Sequence, residues 1–457
     1  MDVRKFLQQN VIPVTGCTEP ASIAYATSVA FQALSGCTPP DYLSSCPPLP
    51  ASRIIKIEVA TDGNVYKNTR NAIVPGTNGQ KGPAVAAAAG IFLNPRDGLD
   101  LFSGITPEIR GKAMILSMSD RIVCGINDKV PAGESPDIRV RVMVKEESTL
   151  KNSSVRISGK HNHIAEICID DIPVYTSTII PDGHDDEKPP DSIVSLIRIA
   201  ESMSKPELDE VYHGVAMNMD LLRIGMHRAY GLGLGSNLRT VLTNQKGILS
   251  LIDKVRIASA VAADARMGGA PYPVMSSAGS GNMGITALIP VGVIGQECRF
   301  SQAEVSRAAL ISHMVTKLAD RYTGHLSALC GCSIKAGIGA TAGVTYLIGG
   351  DAEEITTAIN LMVANITGTI CDGAKPGCTL KIATATGVAT ECAFLAAGGM
   401  KIPLDNGIIQ SSASGTIHML EKISCAMMPV DAAIIKILEE NHDGSGKNNG
   451  FDNARFV

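Results

Sequence analysis

Residues 379–399 are dominated by Ala, Gly and Thr. A run with so few large side chains reads as a buried helix whose neighbours approach its backbone closely. It is opened by Cys371-Asp372-Gly373-Ala374-Lys375-Pro376-Gly377-Cys378, two thiols at a spacing of seven in a loop rich in chain breakers. A disulfide, a zinc site and an iron–sulfur site can all use such a pair, so the rest of the chain has to choose among them.

At 457 residues the chain is longer than one typical domain. The expected class is α+β: a large, mainly helical domain with Gly/Ala-rich buried helices, plus a smaller inserted antiparallel-sheet domain. Residues 1–110 read as an N-terminal helical part, 111–185 as the small α+β sheet domain and 192–457 as the large helical domain. Lys and Arg (40) nearly balance Asp and Glu (44), which gives no basic footprint for nucleic acid. With 4% aromatic residues and no Trp there is also little to stack on bases, so a small-molecule partner is favoured. No apolar core of a signal peptide follows Met1, and no run approaches the roughly 18 apolar residues of a membrane span. The expectation is a cytoplasmic protein away from membranes, whose 12 cysteines are reduced. Helices rich in small residues also suit a homodimer.

Along the chain, Pro13-Val14-Thr15-Gly16-Cys17-Thr18-Glu19-Pro20 breaks a helical pattern and starts a second helix, with Thr18 as N-cap and Pro20 in the first turn. Cys17 then sits at a helix start, where the dipole lowers a thiol pKa and suits a reactive thiolate. Residues 35–50 form a proline-rich loop. Residues 53–67 alternate like a strand with a turn at Thr61-Asp62-Gly63-Asn64. The glycine-rich loop 71–82 leads into an Ala-rich helix and reads either as a carboxylate or phosphate cradle, through Gly76, Thr77 and Asn78, or as a simple connection. Further strands are expected at 114–117, 138–145, 154–159, 163–170 and 172–176, an acidic linker at 181–191, helices from 192 onward and a polar tail at 441–450.

Cys330 and Cys332 join Cys371 and Cys378 as a late group of four thiols. Zinc ribbons use two residues between the members of each pair, whereas here one and six intervene. An iron–sulfur cluster accepts irregular spacing and glycine-rich loops, and buried inert thiols are the other reading. Residues 279–284 match a dinucleotide fingerprint, but no alternating strand precedes them and Pro290 interrupts the helix that should follow. A carboxylate-binding loop at a helix start fits Ser276, Ser277, Ser280 and Asn282 better. His161, His163, His213, His227 and His313 read as surface or packing histidines, with His325 held in reserve. Lys335, Lys375 and Lys381 flank the thiols and either offset their charge or are solvated.

Gly16-Cys17-Thr18-Glu19-Pro20, Val74-Pro75-Gly76-Thr77, Ser280-Gly281-Asn282-Met283-Gly284, Leu329-Cys330-Gly331-Cys332 and Cys371 to Cys378 occur in an order that resembles the L-cysteine desulfidase family. That family is related to the iron–sulfur L-serine dehydratases. The resemblance runs over nearly the full length. It implies a [4Fe–4S] cluster held by three cysteines with one iron open to substrate, Cys371 and Cys378 matching two ligands. Cys330 or Cys332 is the third, Cys330 being preferred. It also implies that Cys17 is the base for the Cα proton. Thr18, Gly76, Thr77, Asn78, Ser280 and Asn282 are then candidates to bind the substrate carboxylate, and Glu19 either binds the ammonium or complements the helix dipole. The implied reaction is β-elimination of L-cysteine to sulfide, ammonia and pyruvate. Serine dehydration, and a non-catalytic amino-acid or cluster-binding sensor, are the alternatives.

Overall fold

The computed structural model describes residues 1–36, 49–127, 130, 135–177 and 187–443. Most of the expected proline-rich loop (with Cys37 and Cys46), much of the acidic linker and the polar tail from 444 lie outside these residues. The architecture is α+β, as the sequence implies, but the sheet is larger than expected and mixed. Its strands run in the order Ile122–Ile126, Ile54–Thr61, Asp137–Glu146, Thr149–Ser158, Ile164–Ile169 and Ile172–Thr176. Only the first pair is parallel.

Strand Ile54–Thr61 comes from the part expected to be helical, so the sheet crosses the 110/111 boundary: Ile57 pairs with Ile122 on one side and Val142 on the other. Two local readings are corrected. Asp62 accepts from the N–H groups of Asn64 and Val65 and so caps a helix, Gly63–Arg70, where a continuing strand was expected. Likewise Thr106 caps Ile109 and Pro107 occupies the first turn, so residues 114–117 end a helix, Pro107–Ser117, rather than form a strand.

The sheet buries Ile138, Val140, Val142 and Val144 on one face. The helix Thr18–Ala33 packs on this sheet and is buried nearly all round. Its other neighbour is the helix Pro83–Gly90, and the approach is so close that a Cβ on Gly90 would stand 2.2 Å from the Ala24 carbonyl oxygen. Small residues do the same in the helical domain: a Cβ on Gly339 would stand 2.1 Å from Thr316 Oγ1 of the helix Gln302–Thr323. The helix Gly281–Glu297 runs through Pro290 instead of breaking there, with the Ser312 hydroxyl donating to the Ala287 carbonyl nearby at 2.9 Å. The helix Cys378–Ala397 is long and apolar enough to cross a membrane on composition, but it packs against Leu251–Met267, Ala336–Leu347 and Ala352–Ile366 as part of the bundle core.

One short contact joins the N-terminal segment to the helical domain. Strand Pro13–Thr15 pairs antiparallel with Pro273–Met275, and Ile12 and Ser276 exchange hydrogen bonds, main chain to main chain at 2.9 Å and N–H to Ser276 Oγ at 3.0 Å. This sets Cys17 beside the start of the helix Gly281–Glu297. Because a Cβ on Gly90 would run into the Ala24 main chain, which has no room to yield, Gly90→Ala is expected to lower the unfolding free energy by about 1–3 kcal/mol. Urea denaturation of the purified protein measures this.

Candidate functional site

Four helix starts meet at one internal cavity of about 90 Å³. Cys17 is the N-cap of Thr18–Ala33, one residue earlier than expected, and Ser280 is the N-cap of Gly281–Glu297. Cys330 precedes a single π turn, Gly331–Lys335, that feeds Ala336–Leu347, and Cys378 is the first residue of Cys378–Ala397. All four line the cavity, together with Cys332 and Cys371. Each helix start turns a partial positive charge toward the same space, which favours an anion there, although the first three N–H groups of Cys378–Ala397 are taken by the Lys375, Pro376 and Gly377 carbonyls.

The two cysteine loops are tied to each other by the main chain. Cys330 N–H donates to the Thr369 carbonyl at 3.0 Å and Cys371 N–H to the Ala328 carbonyl at 2.7 Å. Gly373 adopts φ +90° and lies against the Lys67 backbone, where a Cβ would meet the carbonyl oxygen at 2.3 Å. Only glycine fits there. Asp372 pairs with Lys375 and Lys381, and Lys381 also donates to the Ile370 carbonyl at 2.8 Å, closing the loop. Lys375 and Lys381 are therefore bound into the loop rather than freely solvated.

Cys330 and Cys332 are in direct contact, Sγ to Sγ 3.4 Å. Of this pair Cys330 carries the thiolate character, because Cys332 donates to it and a Ser333 N–H and Lys381 assist, while the Cys332 thiol is held protonated. Burial pushes the Cys378 thiol up to about 12, with the Cys330 charge adding to it, and raises Cys371 as well. Among the described residues no three His, Cys, Asp or Glu side chains converge closely enough for a single ion. The thiols ring a cavity instead. Soft sulfur donors spread around a space, with lysines beside them and helix N–H groups aimed in, are the donor set that a polynuclear iron–sulfur group uses. Coordination would supply what burial denies these thiols, a stable thiolate form.

Cys17 departs from the expected thiolate. Burial pushes its thiol up to about 11, Arg266 pulling down and Glu19 pushing up by less. The dipole at a helix start is a surface-scale effect, and full desolvation outweighs it here. Thr18 donates to the Gly279 carbonyl at 3.2 Å and so holds the loop before Ser280. Glu19 is buried and accepts from Asn68 Nδ2 at 2.9 Å. Burial raises its carboxyl above the ordinary range.

The glycine-rich loop does not line the cavity. Thr77 donates to the Val74 carbonyl at 2.6 Å, Gly76 N–H goes to Gly269, and Asn78 is exposed beside Arg110. The loop's part is support, since a Cβ on Gly16 would stand 2.4 Å from Pro75. Ser276 and Ser277 are also occupied elsewhere, by Ile12 and by His313. Ser280 and Asn282 do face the cavity.

Arg266 was missed in the sequence, and His161 and Lys335 were read there without the roles they take at the site. Arg266, 4% exposed, donates to Asn282 Oδ1 at 2.6 Å and to the Gly16 carbonyl, packs on Gly281, and keeps a buried Nε without a partner. Among the described residues it forms no ion pair. His161, at the tip of the hairpin between Thr149–Ser158 and Ile164–Ile169, reaches the cavity and meets His325. Lys335, 1% exposed, pairs with Asp320 at 3.0 Å and donates to the Gly324 and His325 carbonyls. Arg266 and Lys335 sit inside apolar helical patterns, so their chemistry was visible only as two charges on otherwise buried faces.

This is an α+β protein in which helix starts, thiols and buried cations surround one small cavity. The family profile of the serine dehydratase alpha chain matches residues 141–436, and the chain belongs to that family. Similar full-length relatives are UPF0597 proteins. One from Desulfatibacillum aliphaticivorans is 33% identical, covering 96% of this chain and 98% of the relative. One from Clostridium perfringens is 33% identical over 95% and 97%, and one from Desulforapulum autotrophicum is 32% identical over 95% and 97%.

The Asp320–Lys335 pair is the charged anchor of the cavity wall. Burial alone would raise the Asp320 carboxyl, but Lys335, His325 and Lys317 outweigh it and hold the carboxylate well below its usual range. Asp320→Asn leaves Lys335 buried and unpaired, so a loss of about 3–5 kcal/mol in unfolding free energy is expected, measured by chemical denaturation.

Proposed function

We propose that the protein is a lyase of the serine dehydratase type that acts on a small β-substituted L-amino acid, L-cysteine first and L-serine as the alternative. The observation that carries this is Arg266, a guanidinium almost fully buried, without an ion pair among the described residues and with an orphaned Nε. A buried cation of this kind is stable only beside an anion. An amino acid's carboxylate fits, held in the bidentate way a guanidinium favours and by the N–H groups around Ser280 and Asn282. The family match supports the lyase class, and the motif from Gly16 to Pro20 supports cysteine as the substrate.

Cys330, Cys371 and Cys378 would hold a [4Fe–4S] cluster, with Cys332 hydrogen-bonded to Cys330 rather than acting as a fourth ligand. Such a cluster with an open iron supplies a Lewis acid for the leaving thiolate or hydroxide. The protein's own groups do the rest. Arg266 fixes the carboxylate, and Glu19, oriented by Asn68, faces the ammonium. Cys17 accepts the Cα proton. It does so in its thiolate form, which Arg266 favours against burial; the S–H proton has to leave to solvent before substrate closes the site. Loss of the proton and the β-substituent leaves aminoacrylate, which becomes pyruvate and ammonia.

Protein purified without oxygen is expected to contain iron and sulfide, with a broad brown absorbance, and to form pyruvate from cysteine or serine. Cys371→Ala and Cys378→Ala should remove colour and product together. Cys17→Ser should keep the colour and lose turnover. Arg266→Met should raise KM by about ten- to a hundredfold, the loss of one charge-assisted contact. Full activity in iron-free protein would overturn the reading.

A further inference from the structure

Among the described residues, His161 is what the sheet brings to the cavity. Its ring is buried, its Nε2 has no hydrogen-bond partner, and its Nδ1 lies 3.3 Å from His325 Nε2. The Ser22 hydroxyl donates to the His161 carbonyl at 2.5 Å and fixes the hairpin tip against the helix Thr18–Ala33. On the far side, His325 Nδ1 is 3.5 Å from Asp320 Oδ2, and Lys335 grips both Asp320 and the carbonyl of His325. The result is a line of side chains from a buried carboxylate through two imidazoles to the cavity wall.

The chemistry of the three groups sets the direction of every hydrogen bond in that line. A carboxylate only accepts, so His325 carries its proton on Nδ1. A neutral His325 then offers a lone pair at Nε2, which His161 meets with Nδ1–H. His161 Nε2 is left as a buried acceptor without a partner, on a ring that lines the cavity. If a proton arrives there, His161 can release its Nδ1 proton to His325, and the positive charge comes to rest on His325 beside Asp320 instead of on the more deeply buried ring.

We propose that Asp320, His325 and His161 form a proton relay whose cavity end, His161 Nε2, takes a proton from the α-ammonium of the bound amino acid. The substrate is that of the lyase reading above. An N–H bond of the ammonium breaks and the Nε2–H bond of His161 forms; the Nδ1–H bond of His161 breaks and the Nε2–H bond of His325 forms. The reverse sequence returns the proton to the departing products. The transfer has an electrostatic reason. Of the cations that line the cavity, Lys335 and Lys381 are paired with Asp320 and Asp372, and Arg266 has no ion pair among the described residues, so an ammonium there faces Arg266 with Glu19 as its carboxylate. Moving its charge to His325 places it against Asp320, with Lys317 and Lys335 the other charges on that carboxylate. His161 and His325 are the catalytic and the positioning member of the relay, respectively.

Two measurements test this on the cluster-containing protein. In the first, the nine histidines are labelled with ¹⁵N, and His161→Gln and His325→Gln assign their signals. At neutral pH His161 is expected to be protonated at Nδ1 and bare at Nε2. Saturating L-alanine, a probe with no leaving group whose binding is followed by a rise in Tm, should protonate Nε2 and make His325 an imidazolium. In the second, His161→Gln should lower kcat/KM by about a hundredfold at neutral pH, and the gap should close towards pH 10, where the substrate amine is already deprotonated. A purely structural histidine would give a gap that is flat with pH. An Nε2 that is protonated in the protein alone, or that stays bare with alanine bound, overturns the relay, as does a flat gap. If cysteine and serine both yield no product while the alanine-driven tautomer switch occurs, the relay stands and the lyase reading falls.

Discussion

Everything at this site depends on four helices starting at the same buried place. One helix start carries about half a positive charge, and no compact fold would aim four of them, plus a guanidinium, at a space meant for apolar side chains. The arrangement is held by backbone contacts rather than by the thiols. The two-strand pairing of Pro13–Thr15 with Pro273–Met275 brings in Cys17 and Ser280, and the hydrogen bonds between the Cys330 and Cys371 loops bring in the other two. The framework itself aims positive helix ends at this space, and three of the four starts carry thiols, which is what the proposed cluster and carboxylate would use.

The same burial that strengthens these interactions works against ionised thiols. Cys17 and Cys378 are both pushed well above an exposed cysteine, whereas Cys330 gains its thiolate character from a neighbouring thiol and a lysine. On the proposed reading, charge arrives at this site in pairs: metal with thiolate, carboxylate with Arg266, proton with His325 and Asp320. Low dielectric makes each pairing strong and each unpaired charge costly. That is a reasonable basis for selecting a small zwitterion over water.

Much of the framework was legible in the sequence. The strand alternation at 137–158, the small-residue helices and the late thiol group all appear where periodicity and composition put them, because these patterns are local. The misreadings were local too. Residues 114–117 alternate like a strand, but Thr106 and Pro107 upstream had already fixed a helix, and Asp62 did the same for Gly63–Arg70. The glycine-rich loop from Gly76 to Asn78 looked like a ligand cradle and is instead the brace under Gly16, a distinction that depends on which way the loop faces.

The sequence alone determined the fold class, the presence of a thiol group unsuited to a zinc ribbon, and the helix starts at Cys17, Ser280 and Cys378, since each is encoded in a few adjacent residues. Only the tertiary structure decided that these starts share one cavity, that Arg266 stands there without an ion pair among the described residues, and that a hairpin from the sheet delivers His161 to His325. It also decided that Cys17 is a thiol rather than a thiolate. The physical reason is common to all four: desolvation and charge pairing depend on neighbours distant in the chain, and no local pattern of residues carries that information.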